Sequence, residues 1–141
     1  MIDEDMSKFL VKRIERSKHY IEMCLKEWGT TSSDKVPPRI YYSLASDTRT
    51  IAVYTTLLGD KEEAIKWFKL SSDYFNKQVE SQRIQAGDCS YESEAAICKD
   101  AFNMAIISGD CELINKSIEL SINICKEYQK SFQIFLNIIT I

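Results

Sequence analysis

Glycine and proline are scarce, at four and two in 141 residues. Sandwiches and barrels need a turn every roughly 8–12 residues, and turns draw heavily on these two residues. A turn-rich β architecture is therefore excluded, and long helices are favoured. Histidine occurs once, so the commonest general base and metal ligand is confined to His19. No G-x-x-x-x-G-K-[ST] or G-x-G-x-x-G run occurs, which removes the glycine cradle for a phosphate. Cys24, Cys89, Cys98, Cys111 and Cys125 make an odd count with no Cys-x-x-Cys pair. They are expected to be reduced and mostly buried as small hydrophobes. Positive charge is not in excess: 18 Lys and Arg against 21 Asp and Glu leave a net charge of −3. The basic stripe of a nucleic-acid binder is missing. No apolar run reaches the roughly 18 residues that span a bilayer, and Met1 to Asp5 carry no basic and then apolar leader. These absences predict a cytoplasmic, all-α protein with no cofactor, no metal, no nucleic acid and no membrane among its partners.

What is present is helical periodicity. From Asp5 to Trp28, Phe9, Leu10, Ile14, Tyr20, Ile21, Cys24, Leu25 and Trp28 recur at steps of three and four, predicting a long amphipathic helix within 1–28. Both prolines and one glycine fall close together in 29–37 and at Pro38, the one linker-like stretch. Pro38 suits the first turn of a second helix, where its missing N–H costs nothing. That helix runs through Tyr41, Leu44, Ala45, Thr48, Ala52 and Thr55 and stops at Gly59, which accepts a left-handed conformation. Asp60 is placed to cap a third helix with Glu63 completing a capping box, and Ala64, Trp67, Phe68, Ser71, Tyr74 and Phe75 make its inner stripe. Residues 38–86 thus read as one helical hairpin.

A displacement of fifty residues sets Tyr41 on Tyr91, Ala45 on Ala95, Gly59 on Gly109, Asp60 on Asp110, Glu62 on Glu112, Leu70 on Leu120 and Ser71 on Ser121. A second hairpin is expected over 90–129, through Cys98, Phe102, Ala105 and Ile106 on one arm and Leu113, Ile114, Ser117, Ile118, Ile124, Cys125 and Tyr128 on the other. The end, 130–141, is strongly apolar and β-branched, and the pattern leaves helix and strand both open. Exposed, it would be an aggregation-prone window, so it is expected to be packed on the hairpin or on a second subunit. The whole reads as a single domain, 1–141, of five or six antiparallel helices: two stacked hairpins with a long N-terminal helix alongside.

Catalytic constellations are hard to assemble from these residues. His19 sits on a charged helix face with Glu15 and Glu22, and Cys24 lies about 140° around the helix from it, which suits no metal. Glu62 and Glu63 complement the dipole of a first helical turn. Surface for recognition remains. Along the second helix, Tyr42, Ser46, Arg49, Thr50 and Val53 form a second, mixed face, with Glu92, Ala96, Lys99, Asp100 and Asn103 as their counterparts fifty residues on. First helices of stacked hairpins line a concave surface. Tyr42, Arg49, Lys99 and Asn103 are accordingly the expected partner-binding residues, Tyr and Arg being frequent hot spots. Burial of this face by neighbouring segments is the other possibility.

The run Ala52, Leu57, Leu58, Gly59, Asp60, Glu63, Ala64, Trp67, Phe68 and Tyr74 resembles the helix, Leu-Gly-Asp, acidic, Ala, aromatic pattern of tetratricopeptide-like hairpins. Those repeats run near 34 residues, so the longer period here blocks a transfer of their groove residues. The same Leu-Gly-Asp hairpin is similar to that of toxin immunity proteins such as the immunity protein 49 family. The resemblance implies a non-catalytic adaptor, chaperone or immunity-type inhibitor that binds another protein or peptide. Homodimerisation through the N-terminal helix or the apolar C-terminal segment would be a special case. The rival expectation is a small-ligand protein or enzyme with a pocket inside the bundle, lined by Tyr42, Arg49, Trp67 and Tyr74.

Overall fold

The computed structural model describes residues 2–87 and 91–139, without the side chains of 91–93 and 131–139. It is all-helical among those residues, with α1 at Glu4–Trp28, α2 at Pro38–Leu57, α3 at Lys61–Ala86, α4 at Tyr91–Ser108 and α5 at Cys111–Ile139. Each helix packs on the next in sequence. The apolar C-terminal stretch, left open between helix and strand, continues α5 as far as Ile139. How 131–141 pack lies outside the described residues, as do Cys89 and the side chain of Tyr91. No helix among the described residues is long and apolar enough to cross a membrane.

The helix ends follow local chemistry. Asp3 caps α1 by accepting from the Met6 N–H at 2.7 Å. Pro38 opens α2. Gly59 and Gly109 both take the left-handed conformation, at φ 90° and 67°. Asp60 then accepts from the Glu63 N–H at 3.1 Å, and Asp110 from the Glu112 N–H at 2.9 Å. The capping box is only half made. The Asp60 N–H turns back to the Thr55 carbonyl at 3.2 Å, and the Glu63 carboxylate instead accepts from Trp67 Nε1 at 3.0 Å.

α2 and α3 carry most of the core. Tyr41, Leu44, Ala45, Thr48, Ile51, Ala52 and Thr55 are buried on α2, and Ala64, Phe68, Ser71, Tyr74, Phe75, Gln78, Val79 and Ser81 on α3. Fully burying one large apolar side chain contributes about 1.5–3 kcal/mol, so this pair supplies much of the hydrophobic stabilisation. Small Ala45, Ala52 and Ala64 let the backbones approach. At one end Ser81 Oγ of α3 donates to the Val36 carbonyl at 3.0 Å, and Gln85 Nε2 donates to the same oxygen at 3.1 Å. Val36 is itself buried. The proline-rich connection is therefore clasped by the end of α3 and is not a loose linker.

α1 lies against α2 with a narrower stripe than its apolar content suggests. Leu10, Ser17 and Ile21 are buried and Ile14, Cys24 and Trp28 half-buried, a series stepping four, three, four, three, four. Phe9, Tyr20 and Leu25 are on its flanks and exposed. The flanking rings still find partners: Arg13 lies over Phe9, and Arg16 lies over Tyr20 while its Nε donates to the Tyr20 hydroxyl at 2.9 Å. His19 is exposed. The cysteines divide, Cys24 half-buried and Cys98 buried but Cys111 and Cys125 exposed, so the expectation of mostly buried thiols fails for α5. The reason is that, among the described residues, α5 packs extensively on α4 only.

Candidate functional site

The most connected polar group in the described residues lies where α2, α3 and α4 meet. Asp100, on α4 among Ala96, Ile97, Ala101 and Met104, is 0% exposed. Arg49 reaches across from α2: its Nε donates to Asp100 Oδ1 at 2.7 Å and its Nη2 to the Ala96 carbonyl at 2.6 Å. Ser71 of α3 donates to Asp100 Oδ2 at 2.7 Å and lies 3.1 Å from the Ala45 carbonyl. The guanidinium carbon stands 4.6 Å from the centre of the Phe75 ring. Small side chains at Ala45, Ala96 and Ser71 leave the room for this crossing.

Burial pushes the Asp100 carboxyl above its ordinary value, while the hydrogen bonds from Arg49 and Ser71, with the charges of Arg49 and Lys99, pull it back. Both carboxylate oxygens are engaged, and the Arg49 side chain is only 21% exposed. A buried ion pair of this kind adds little net stability, yet removing one partner is costly because the other charge is left without compensation. Chemically the group is a clasp: its acid and its base are spent on each other.

The four residues expected to bind a partner separate accordingly. Tyr42 and Arg49 both meet Phe75, the Tyr42 ring edge-on at 6.2 Å, and Tyr42 is exposed. Arg49 is turned inward to Asp100. Lys99 is exposed and borders a hollow between α4 and α5 with Phe102, Ser121 and Ile124. Asn103 is half-buried. Of the residues expected to line a pocket inside the bundle, Trp67 and Tyr74 make contacts of their own. Trp67 lies under Lys18 of α1, and Tyr74 belongs to the core cluster that also holds Ile21, Tyr41 and Phe75.

No protein-family model, curated protein or solved structure matches this chain. Among the described residues no group of three or more His, Cys, Asp or Glu is gathered to hold a metal ion.

Two further solvent-facing hollows flank α5. One is a trough of about 300 Å³ between α3, α4 and α5, with Ile65, Met104, Leu113 and Leu120 on its walls and Lys69 and Lys116 at its rim. The other, of about 460 Å³, is bounded by Phe102, Ile118, Ile122 and Cys125, with Lys126 and Gln129 at its edge. Sequence reasoning missed both, because the apolar residues of α5 were assigned to a hairpin core. The arc from Leu120 through Ser117 to Ile122 is too wide for one neighbour to cover, and that width was readable in the sequence. Asp100 was also readable: an acid set among alanines and apolar residues in mid-helix needs a buried cation, and Arg49 is the arginine deepest within α2.

Proposed function

We propose that the protein is a non-catalytic protein-binding module, its helices forming two stacked, antiparallel, tetratricopeptide-like hairpins. The observation that carries this reading is the open apolar trough between α3, α4 and α5, with Lys69 and Lys116 at its rim. Such a surface suits an amphipathic segment of another protein, with an apolar anchor in the trough and carboxylates toward the two lysines. Tyr42, Lys99 and Asn103 would be secondary contacts, and Arg49 would act by holding α2 to α4. Adaptor, chaperone and immunity-type inhibitor are all roles that fit a surface of this kind. The spent state of the Asp100 and Arg49 charges supports a binding role over catalysis, since neither is free to shuttle a proton.

Affinity capture with the intact chain, compared with Leu120→Asp, tests this. A partner retained by the wild type and lost by the variant, with helical content unchanged, is expected. A partner held equally by both would remove the trough from the reading. A volume of about 300 Å³ also falls at the lower end of small-ligand pockets, which keeps a ligand-binding protein as the second reading. Native mass spectrometry showing a co-purified small molecule released by Leu120→Asp would favour it.

A further inference from the structure

We infer that the outer edge of α5 is a docking face for a second copy of this chain, the two α5 helices pairing antiparallel about a two-fold axis. The inference stands apart from the trough, which lies on the opposite flank of α5. Ile118, Ile122, Cys125 and Gln129 follow one another at steps of four, three and four, the spacing of a coiled-coil seam. All four are exposed, Ile122 at 47%, and they border the 460 Å³ hollow to which α4 adds Phe102. α5 has 29 residues, about 43 Å of helix, which is ample for a seam of three to four layers.

Charge identifies the occupant. Glu119 and Lys126 are seven residues apart and share the edge of the seam that faces away from α4. Among the described residues neither has an ion-pair partner in its own chain, whereas Glu112 and Lys116 on the same helix are paired at 2.9 Å. When two copies meet antiparallel with Ile122 of one against Cys125 of the other, Glu119 of each lies beside Lys126 of its mate. The pairing occurs twice by symmetry, and Ile118 meets the aliphatic part of Gln129. The patch is thus complementary to itself, as an isologous contact requires. In a parallel pairing the same edge of each helix would lie against the opposite edge of its mate, near Ile114 and Ser121, so Glu119 and Lys126 would not meet. Phe102 of each copy closes the α4 side of the seam.

Sedimentation velocity of the full chain over a concentration series tests the assignment, with circular dichroism on every variant. The wild type is expected to be a dimer at micromolar concentration and Ile122→Glu a monomer of equal helicity. Glu119→Lys and Lys126→Glu are each expected to weaken dimerisation about tenfold by setting like charges together, and the double variant to recover to within about threefold of wild type. A wild type monomeric throughout, a dimer that survives Ile122→Glu, or a double variant no tighter than the singles would overturn the proposal. The charge exchanges lie on the solvent face, so they decide the matter even if Ile122→Glu unfolds. Loss of the dimer with partner capture intact separates this inference from the trough.

Discussion

The two halves of the chain use the same local grammar and reach different ends. In α2 and α3 almost every inward apolar residue is buried, and Phe68, Ile51, Thr48 and Ser71 are sealed from solvent. In α4 and α5 the same kind of stripe yields only Cys98, Asp100, Ala105 and Ser117 as buried side chains among those described, while Phe102, Ile106, Leu113, Ile118, Leu120 and Ile122 remain exposed. Yet the Gly59-Asp60 and Gly109-Asp110 junctions have the same left-handed glycine and the same capping carboxylate. Capping is settled within a turn of chain. Burial needs a second surface: α3 packs extensively on both α2 and α4, whereas among the described residues α5 packs extensively on α4 only.

Substitutions can break or sharpen this contrast. Phe68→Ala is expected to cost about 3–5 kcal/mol, whereas Ile106→Ala on α4 should cost under about 0.5 kcal/mol. Urea denaturation followed by circular dichroism gives both figures, and comparable losses would erase the difference between the halves. Next comes the clasp that joins them. Arg49→Ala leaves the Asp100 carboxylate buried without its counter-charge, held by the Ser71 hydroxyl, and about 3 kcal/mol of stability is expected to go. Pairing Arg49→Met with Asp100→Leu should recover most of it, since the acid then leaves with its partner. Failure of the double variant to recover would mean that the clasp is not the joint between the halves.

Capping should show the least contrast. Asp60→Ala and Asp110→Ala are each expected to cost about 1 kcal/mol locally. Hydrogen exchange should spread the first loss over α2 and α3 and confine the second to α4 and α5; a loss from Asp110→Ala that spreads into α2 would show that the halves unfold together. The smallest effect is a slope with pH. Because burial raises the Asp100 carboxyl, the folded chain takes up that proton at a higher pH than the unfolded chain does. The contribution is full at acid pH and is lost as pH rises through the raised value. The stability of the wild type relative to Asp100→Asn should therefore increase as pH falls from neutrality toward the ordinary aspartate range. A flat difference would show that Arg49, Ser71 and Lys99 fully offset the burial.

Much of the fold was legible because it rests on short-range chemistry. Pro38, Gly59, Asp60 and Gly109 mark helix ends through their own backbone preferences, and the stripes on α2 and α3 coincide with their core. Less was legible where the outcome depends on neighbours. Ser17 entered the α1 seam and Phe9 did not, because the seam follows the line of contact with α2 and not hydrophobicity alone. Arg49 sits at the margin of the α2 stripe, where periodicity cannot separate an outward hot spot from an inward ion pair. Its partner is 51 residues away. The hollows flanking α5 depend on helix separations that no spacing rule encodes. Only the excess width of the α5 apolar arc hinted at them.

The clasp of Ser81 and Gln85 on the Val36 carbonyl divides the connection before α2 into a pinned end and an open end. Around Ser32 and Ser33 the chain is exposed, whereas three residues later it is anchored. The serine tip is thus the natural place to graft an epitope or a fluorophore: cargo spliced there would ride on the surface, while the same cargo moved to Val36 would prise the ends of α2 and α3 apart.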